Sequence, residues 1–242
     1  MLADQTRTIR RIVAIIVIFV LGAIAQGSGL LGSIYQYRSD VLYLTPQHIA
    51  LAAISGGLAI LVGVPLGVAV SRPSFRYVAN SITRVINLGT TVPTLAILAL
   101  AMTVLGLGAP SAIFGLFVLT LLPILLNTVA GLRSVPPTLI EAARGMGMTA
   151  WQILLEVELP NAAYVIMAGI RTALVINIGT VPLAFLIGGG GLGELIFTGI
   201  DLMEPGMLLA GAIATAVLAI AVDAFVANAQ YWLVPRGVNP LR

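Results

Sequence analysis

Cysteine is absent from this sequence and histidine occurs once, at His48. Without thiols there is no disulfide framework and no thiol nucleophile, and without a Cys/His cluster there is no zinc site of the usual kind. Lysine is missing as well, because all twelve basic residues are arginine. That excludes a GxxxxGK[ST] phosphate loop, so any ATP chemistry must sit on another polypeptide. Charge of either sign is scarce: 9% of the 242 residues are charged and 59% are hydrophobic, against about 25% and 45–50% in soluble domains. So little polar surface cannot coat a water-soluble globule, and the chain belongs in a lipid bilayer. No catalytic, metal or cofactor set is expected, and the arginines are too dispersed to form a nucleic-acid stripe.

What is present is apolar sequence in long runs. Six stretches are long enough to cross a hydrocarbon core: Ile12–Leu31, Ile49–Val70, Val85–Leu105, Ala112–Leu132, Ala162–Ile187 and Gly206–Val234. About twenty helical residues suffice for a crossing. None of the runs alternates apolar with polar residues as barrel strands do, so the expected fold is an all-α polytopic bundle.

The arginines fix an expected orientation, because positive residues beside membrane helices stay cytoplasmic. Ten of the twelve fall at the two termini and in the second and fourth loops, whereas the opposite loops hold only Arg38 beside Asp40, Glu194, Asp201 and Glu204. Both termini are therefore expected in the cytoplasm. The first run has a rival reading as a cleaved signal peptide, since Arg10-Arg11 precede it and Ala23-Ile24-Ala25 fits a small-residue cleavage site. Apolar residues continuing to Leu30-Leu31 favour an uncleaved helix.

Between the fourth and fifth runs, Ser134–Pro160 is too polar to cross the membrane, yet it carries strong local signals. Pro136-Pro137 end what precedes. Thr138-x-x-Glu141 and Thr149-x-x-Gln152 both fit capping boxes, which predict two short helices. Gly145 and Gly147 sit between them, where the chain reverses, and Pro160 is expected to close the second helix. Trp151, Leu154, Leu155 and Glu158 share one helical face at i, i+3, i+4 and i+7, a face that seeks a partner.

Glu141-Ala142-Ala143, then Gly147, then Val157-Glu158-Leu159-Pro160 resembles the "EAA" cytoplasmic loop of bacterial ABC importer permeases: EAA, three residues, Gly, nine residues, I-x-L-P. Valine stands at 157 where isoleucine is usual. The stretches EAARGMGMTAWQILLEVELP, AGIRTALVINIGT and IGGGGLGELIFTGI are similar to the osmoprotectant branch, which takes up glycine betaine, choline and related solutes. Two departures are Gly189, where alanine is frequent, and Pro182, where a small residue is frequent, so an unusual kink is expected in the fifth span. The resemblance implies one transmembrane domain over 1–242, with an added helix at 12–31 and a permease core at 48–234 that contains the loop 134–160. It implies cytoplasmic ABC ATPase subunits, a second permease subunit and a periplasmic or lipid-anchored substrate-binding protein as partners. It makes the loop a coupling helix, with Glu141, Ala142, Ala143, Gly147, Met148 and Pro160 as ATPase-coupling residues. A permease for methionine, a sulfonate or another small solute shares that loop, and an ion-coupled secondary transporter is the remaining alternative.

Outside the loop, the candidate pore-lining residues are Asn87, Thr90, Thr91 and Pro93 on the third run and Asn177 and Thr180 on the fifth. Polar groups and helix breaks at membrane depth are tolerated mainly in protein or around water. Interhelical hydrogen bonding explains the same residues equally well. Arg171 and Asp223 fall at similar depths, which predicts an ion pair tying two helices together, with separate snorkelling to the cytoplasm as the bland alternative. Gly188-x-Gly190-x-x-Gly193 formally fits a dinucleotide fingerprint but has no preceding strand, so it reads as an external hinge or a close helix crossing.

Overall fold

The computed structural model describes residues 22, 26–27, 29–72 and 92–238. The expected first span lies mostly outside them, as do the expected third span's first half and the candidates Asn87, Thr90 and Thr91.

Among the described residues every regular element is helical. The order is α1 (Leu30–Gln36), α2 (Arg38–Ser71), α3 (Thr94–Leu105), α4 (Ala109–Arg133) and α5 (Pro137–Gly145). A turn at Ala150–Gln152 then runs through a π-helical stretch, Ile153–Glu158, into α6 (Leu159–Thr180) and a 3-10 segment, Val181–Ile187. Two helices follow, α7 (Gly193–Asp201) and α8 (Pro205–Leu233). Four are long and apolar enough to cross a membrane: Arg38–Ser71, Ala109–Arg133, Ala150–Ile187 and Pro205–Leu233. The described part of the third run is a shorter apolar helix, Thr94–Leu105.

Helix α4 is the hub, packed against α2 on one side and α6 on the other, and α8 closes against α6 and α7. Small residues make the crossings close. A Cβ at Gly67 would stand 2.6 Å from the Thr128 side chain, and one at Gly169 would stand 2.2 Å from Asn127. Backbones approach this closely in membranes because lipid gives helices no hydrophobic drive to associate, leaving van der Waals contact to hold them. The two largest buried clusters among the described residues lie around Leu98, Leu116, Val181 and Ala184, and around Ile124, Leu132, Leu154 and Ala162 at the loop end.

Several expectations need correction. Helix α2 starts at Arg38, well before Ile49, and passes through Pro46 and Pro65. Pro46 costs one backbone bond, to the carbonyl of Leu42, on a stretch that is itself exposed, so the helix survives it. His48, one residue before the expected span, is therefore helical and fully buried. Pro160 does not close a helix, because the chain is continuously helical from Ala150 to Ile187. The π-helical stretch just before it widens the turn that a proline ring would otherwise crowd, and Asn161 Nδ2 donates to the Val157 carbonyl at 2.7 Å. Thr138 and Glu141 form no capping box, because Pro136 and Pro137 themselves start α5 and no side chain caps it. Proline suits that position, its missing N–H being one that lacks an intrahelical partner anyway. In the glycine-rich segment Gly188, Gly190 and Gly191 have positive φ, and Gly193 then opens α7. A Cβ at Gly193 would lie 2.0 Å from the Pro182 carbonyl oxygen, a close crossing that only glycine allows. Pro182 sits at the start of the 3-10 segment, so the irregularity at the end of the fifth span is a tightening of the helix.

Candidate functional site

The elbow between α4 and α6 is built from the residues the loop pattern named. Ala143 is buried beneath α5, while Glu141 and Ala142 face outward. Helix α5 ends in a Schellman motif: Gly147 N donates to the Arg144 carbonyl at 2.9 Å and Met148 N to the Ala143 carbonyl at 3.2 Å. The motif needs a left-handed residue at its C′ position, and Gly147 supplies it with φ +82°. A Cβ there would meet nothing within 4 Å, so backbone conformation alone calls for glycine. Met148 is half-buried at the turn. Thr149 then caps the next turn reciprocally, its N–H donating to Gln152 Oε1 at 2.8 Å while Gln152 N donates to Thr149 Oγ1 at 3.3 Å.

The outer surface of the elbow mixes large apolar side chains with charged ones, Glu141, Arg144 and Glu156 all being exposed. Met146 is 74% exposed and Trp151 66%, beside exposed Leu139, Leu155 and Glu141. The face expected from Trp151, Leu154, Leu155 and Glu158 is divided, because the π-helical stretch turns Leu154 and Glu158 inward.

Glu158 forms a pair that sequence reasoning missed. Arg72, at the end of α2, donates from Nη1 to Glu158 Oε2 at 2.5 Å. The same guanidinium donates to the Val68 carbonyl and to Ser71 Oγ, which fixes its plane. The elbow is thus fastened to the foot of α2 and is continuous with α6. A signal was available: a carboxylate inside the apolar run Ile153–Pro160 requires a partner. A cavity of about 610 Å³ lies beside the pair, with Arg133, Arg144 and Met148 also in its wall.

Within the membrane body, Asn177 is 2% exposed. Its Nδ2 donates to the Ala52 carbonyl and to Ser55 Oγ, each at 3.0 Å. One helix turn away, His48 Nε2 lies 3.1 Å from the Ile178 carbonyl. These contacts join α2 to α6 and spend the Asn177 amide between helices. Thr180 is half-buried, its Oγ1 donating to the Ile176 and Asn177 carbonyls, and Pro93 is exposed at the start of α3. On another side of α6, Arg171 Nε and Nη2 donate to Asp223 Oδ1 and Oδ2, both at 2.6 Å. This fork-to-fork geometry joins α6 to α8. No group of three or more His, Cys, Asp or Glu residues that could hold a metal occurs among the described residues.

Comparison with known proteins agrees with this architecture. The family model described as binding-protein-dependent transport system inner membrane component matches residues 63–237. The osmoprotectant import permease protein OsmY of Salmonella typhimurium is 47% identical over 225 residues, covering 92% of this chain and 95% of that protein. The choline transport system permease protein OpuBB of Bacillus subtilis is 44% identical over 203 residues, covering 84% and 93%. The carnitine transport permease protein OpuCB of Listeria monocytogenes is 43% identical over 203 residues, covering 84% and 92%. Among solved structures, an inward-facing conformation of the MetNI methionine ABC transporter superposes with TM-score 0.73 at 21% identity, covering 84% of this chain and 98% of that one. At that identity the likeness concerns the fold alone.

Proposed function

Because the chain belongs to the family of binding-protein-dependent transport system inner membrane components, we propose that it forms the translocation pathway of an ABC importer for osmoprotectants such as glycine betaine, choline or carnitine. The observation that carries the substrate class is 43–47% identity, over most of the chain, to permeases named for osmoprotectants, choline and carnitine. In this reading the chain crosses the bacterial inner membrane six times with both termini in the cytoplasm. It pairs with a second permease subunit and receives its solute from a separate binding protein.

The elbow is the coupling helix. Glu141, Ala142, Met146 and Trp151 present a compact surface to a cytoplasmic ATPase, and Ala143, Gly147 and Met148 hold its shape. Because Ala150–Ile187 is one helical rod, about 57 Å long at 1.5 Å per residue, displacement of its foot reaches the far side of the membrane. Closure of the ATPases thereby rocks the permease between inward-open and outward-open states. Pro160 rides within the rod. Pro93 and Thr180, with Asn87, Thr90 and Thr91, remain pore-lining candidates, and Asn177 serves the α2–α6 contact.

An ion-coupled secondary transporter needs a membrane carboxylate free to exchange its proton. Asp223 has both oxygens engaged by Arg171, which disfavours that alternative. The test is reconstitution with the cognate ATPase and binding protein in vesicles. ATP-dependent uptake of radiolabelled betaine or choline is expected, and uptake without ATP, or of methionine instead, would overturn the reading.

A further inference from the structure

Two cavities flank α8, and their walls differ in kind. The first, about 380 Å³, is lined by Ile49, Ala52, Leu174, Val222 and Phe225 with no polar side chain. The second, about 360 Å³, is lined by Tyr164, Arg171, Thr172, Asp223 and Gln230 together with apolar residues of α6. The Arg171 and Asp223 side chains remain 36% and 40% exposed there. At 1.5 Å per residue, Arg171 lies about 18 Å along α6 from Leu159, and Asp223 about 15 Å along α8 from Leu233. In a hydrocarbon core about 30 Å thick, neither position is at the membrane surface.

Asp223 takes two of the guanidinium's five N–H donors. The outer edge of Arg171 and the remaining lone pairs of Asp223 face the cavity. Acyl chains cannot satisfy such groups, which at this depth turn toward protein or water. The apolar cavity is the one suited to lipid.

We propose that the Arg171–Asp223 cavity is a water-filled stretch of the translocation pathway, and that the pair is a contact point for a small zwitterion carrying a carboxylate and a quaternary ammonium. The outer edge of the guanidinium receives the carboxylate and the free side of Asp223 receives the ammonium, without the pair opening. Because the pair is neutral as a whole, it offers both charges without the deep trap that a lone charge would create, as a conducting site requires. The substrate class rests on the osmoprotectant reading above, whereas the wetness of the cavity does not.

The chain has no cysteine, so introduced thiols report alone. In the complete transporter, a membrane-impermeant cationic methanethiosulfonate should label Thr172→Cys, in the polar cavity, and leave Ala53→Cys, in the apolar one, unreacted. In the paired neutral variant Arg171→Gln/Asp223→Asn, betaine uptake per assembled transporter should fall by about tenfold, with a smaller loss for the purely cationic choline. Equal labelling of the two cysteines, or wild-type betaine uptake in the paired variant, would overturn the proposal. If the unaltered transporter carried neither betaine nor choline, the osmoprotectant reading would fail, and the contrast between Thr172→Cys and Ala53→Cys would still decide whether the cavity holds water.

Discussion

Among the described residues there are two arginine–carboxylate pairs, and they are built differently. Arg72–Glu158 sits at the foot of α2, with its carboxylate largely buried, one contact of 2.5 Å and its guanidinium braced by a backbone carbonyl and a hydroxyl. Arg171–Asp223 is bidentate and lies midway along two membrane helices, more than a third of each side chain open to a cavity. The first has the construction of a clamp that holds the elbow to the body. The second has the construction of a bridge between helices that keeps one side free. Burial and bracing favour a single position, whereas exposed polar edges at membrane depth invite water or solute.

The largest effect expected from breaking this contrast is at the clamp. Arg72→Ala leaves Glu158 buried and unpaired, at a cost of roughly 3 kcal/mol, and loosens the elbow from α2. ATP-driven uptake should be nearly lost while ATP hydrolysis continues uncoupled. Retained coupling in a vesicle assay of both rates would show that the clamp transmits nothing. At the bridge, Arg171→Ala or Asp223→Ala alone strands a charge in the membrane and should cut the amount of assembled transporter by roughly tenfold. Arg171→Ala/Asp223→Ala together should restore most of it, as read by yield of the purified complex. A double variant no better than either single one would deny that the two residues act as a pair.

Smaller effects test the elbow's shape. Gly147→Ala forces an alanine into left-handed backbone at about 1 kcal/mol, with a few-fold loss of uptake, and Gly147→Asn should lose less because asparagine tolerates that conformation. Equal losses would mean that contact with the ATPase, and not φ, selects glycine. Thr149→Ala removes the reciprocal cap at about 1 kcal/mol, visible as a small fall in the melting temperature of the detergent-solubilised transporter.

Much of this was legible in the sequence where one kind of interaction dominates. Apolar runs fix membrane helices because lipid satisfies no backbone groups, and the spans at 112–132 and 206–234 end within a few residues of α4 and α8. The Thr149–Gln152 box was readable because both partners are local. The Thr138–Glu141 box misled because Pro136-Pro137 start the helix two residues earlier. Pro160 misled because a proline's cost depends on what relieves it, here a π-helical turn. The Arg72–Glu158 clamp was hidden because its partners are 86 residues apart, and no local periodicity links the end of one span to the foot of another. Similar depth did point to Arg171 and Asp223, since two charges in apolar helices have few other places to go.

The central claim is that the elbow lies in the cytosol against an ATPase and drives α6. It is tested most directly by placing the chain's single thiol at the exposed tip of α5, as Ala142→Cys, and probing it with an impermeant reagent in intact cells and in inside-out vesicles. The account predicts labelling only in inside-out vesicles, with protection when the ATPase is bound. Labelling from outside intact cells, or no protection by the ATPase, would contradict it.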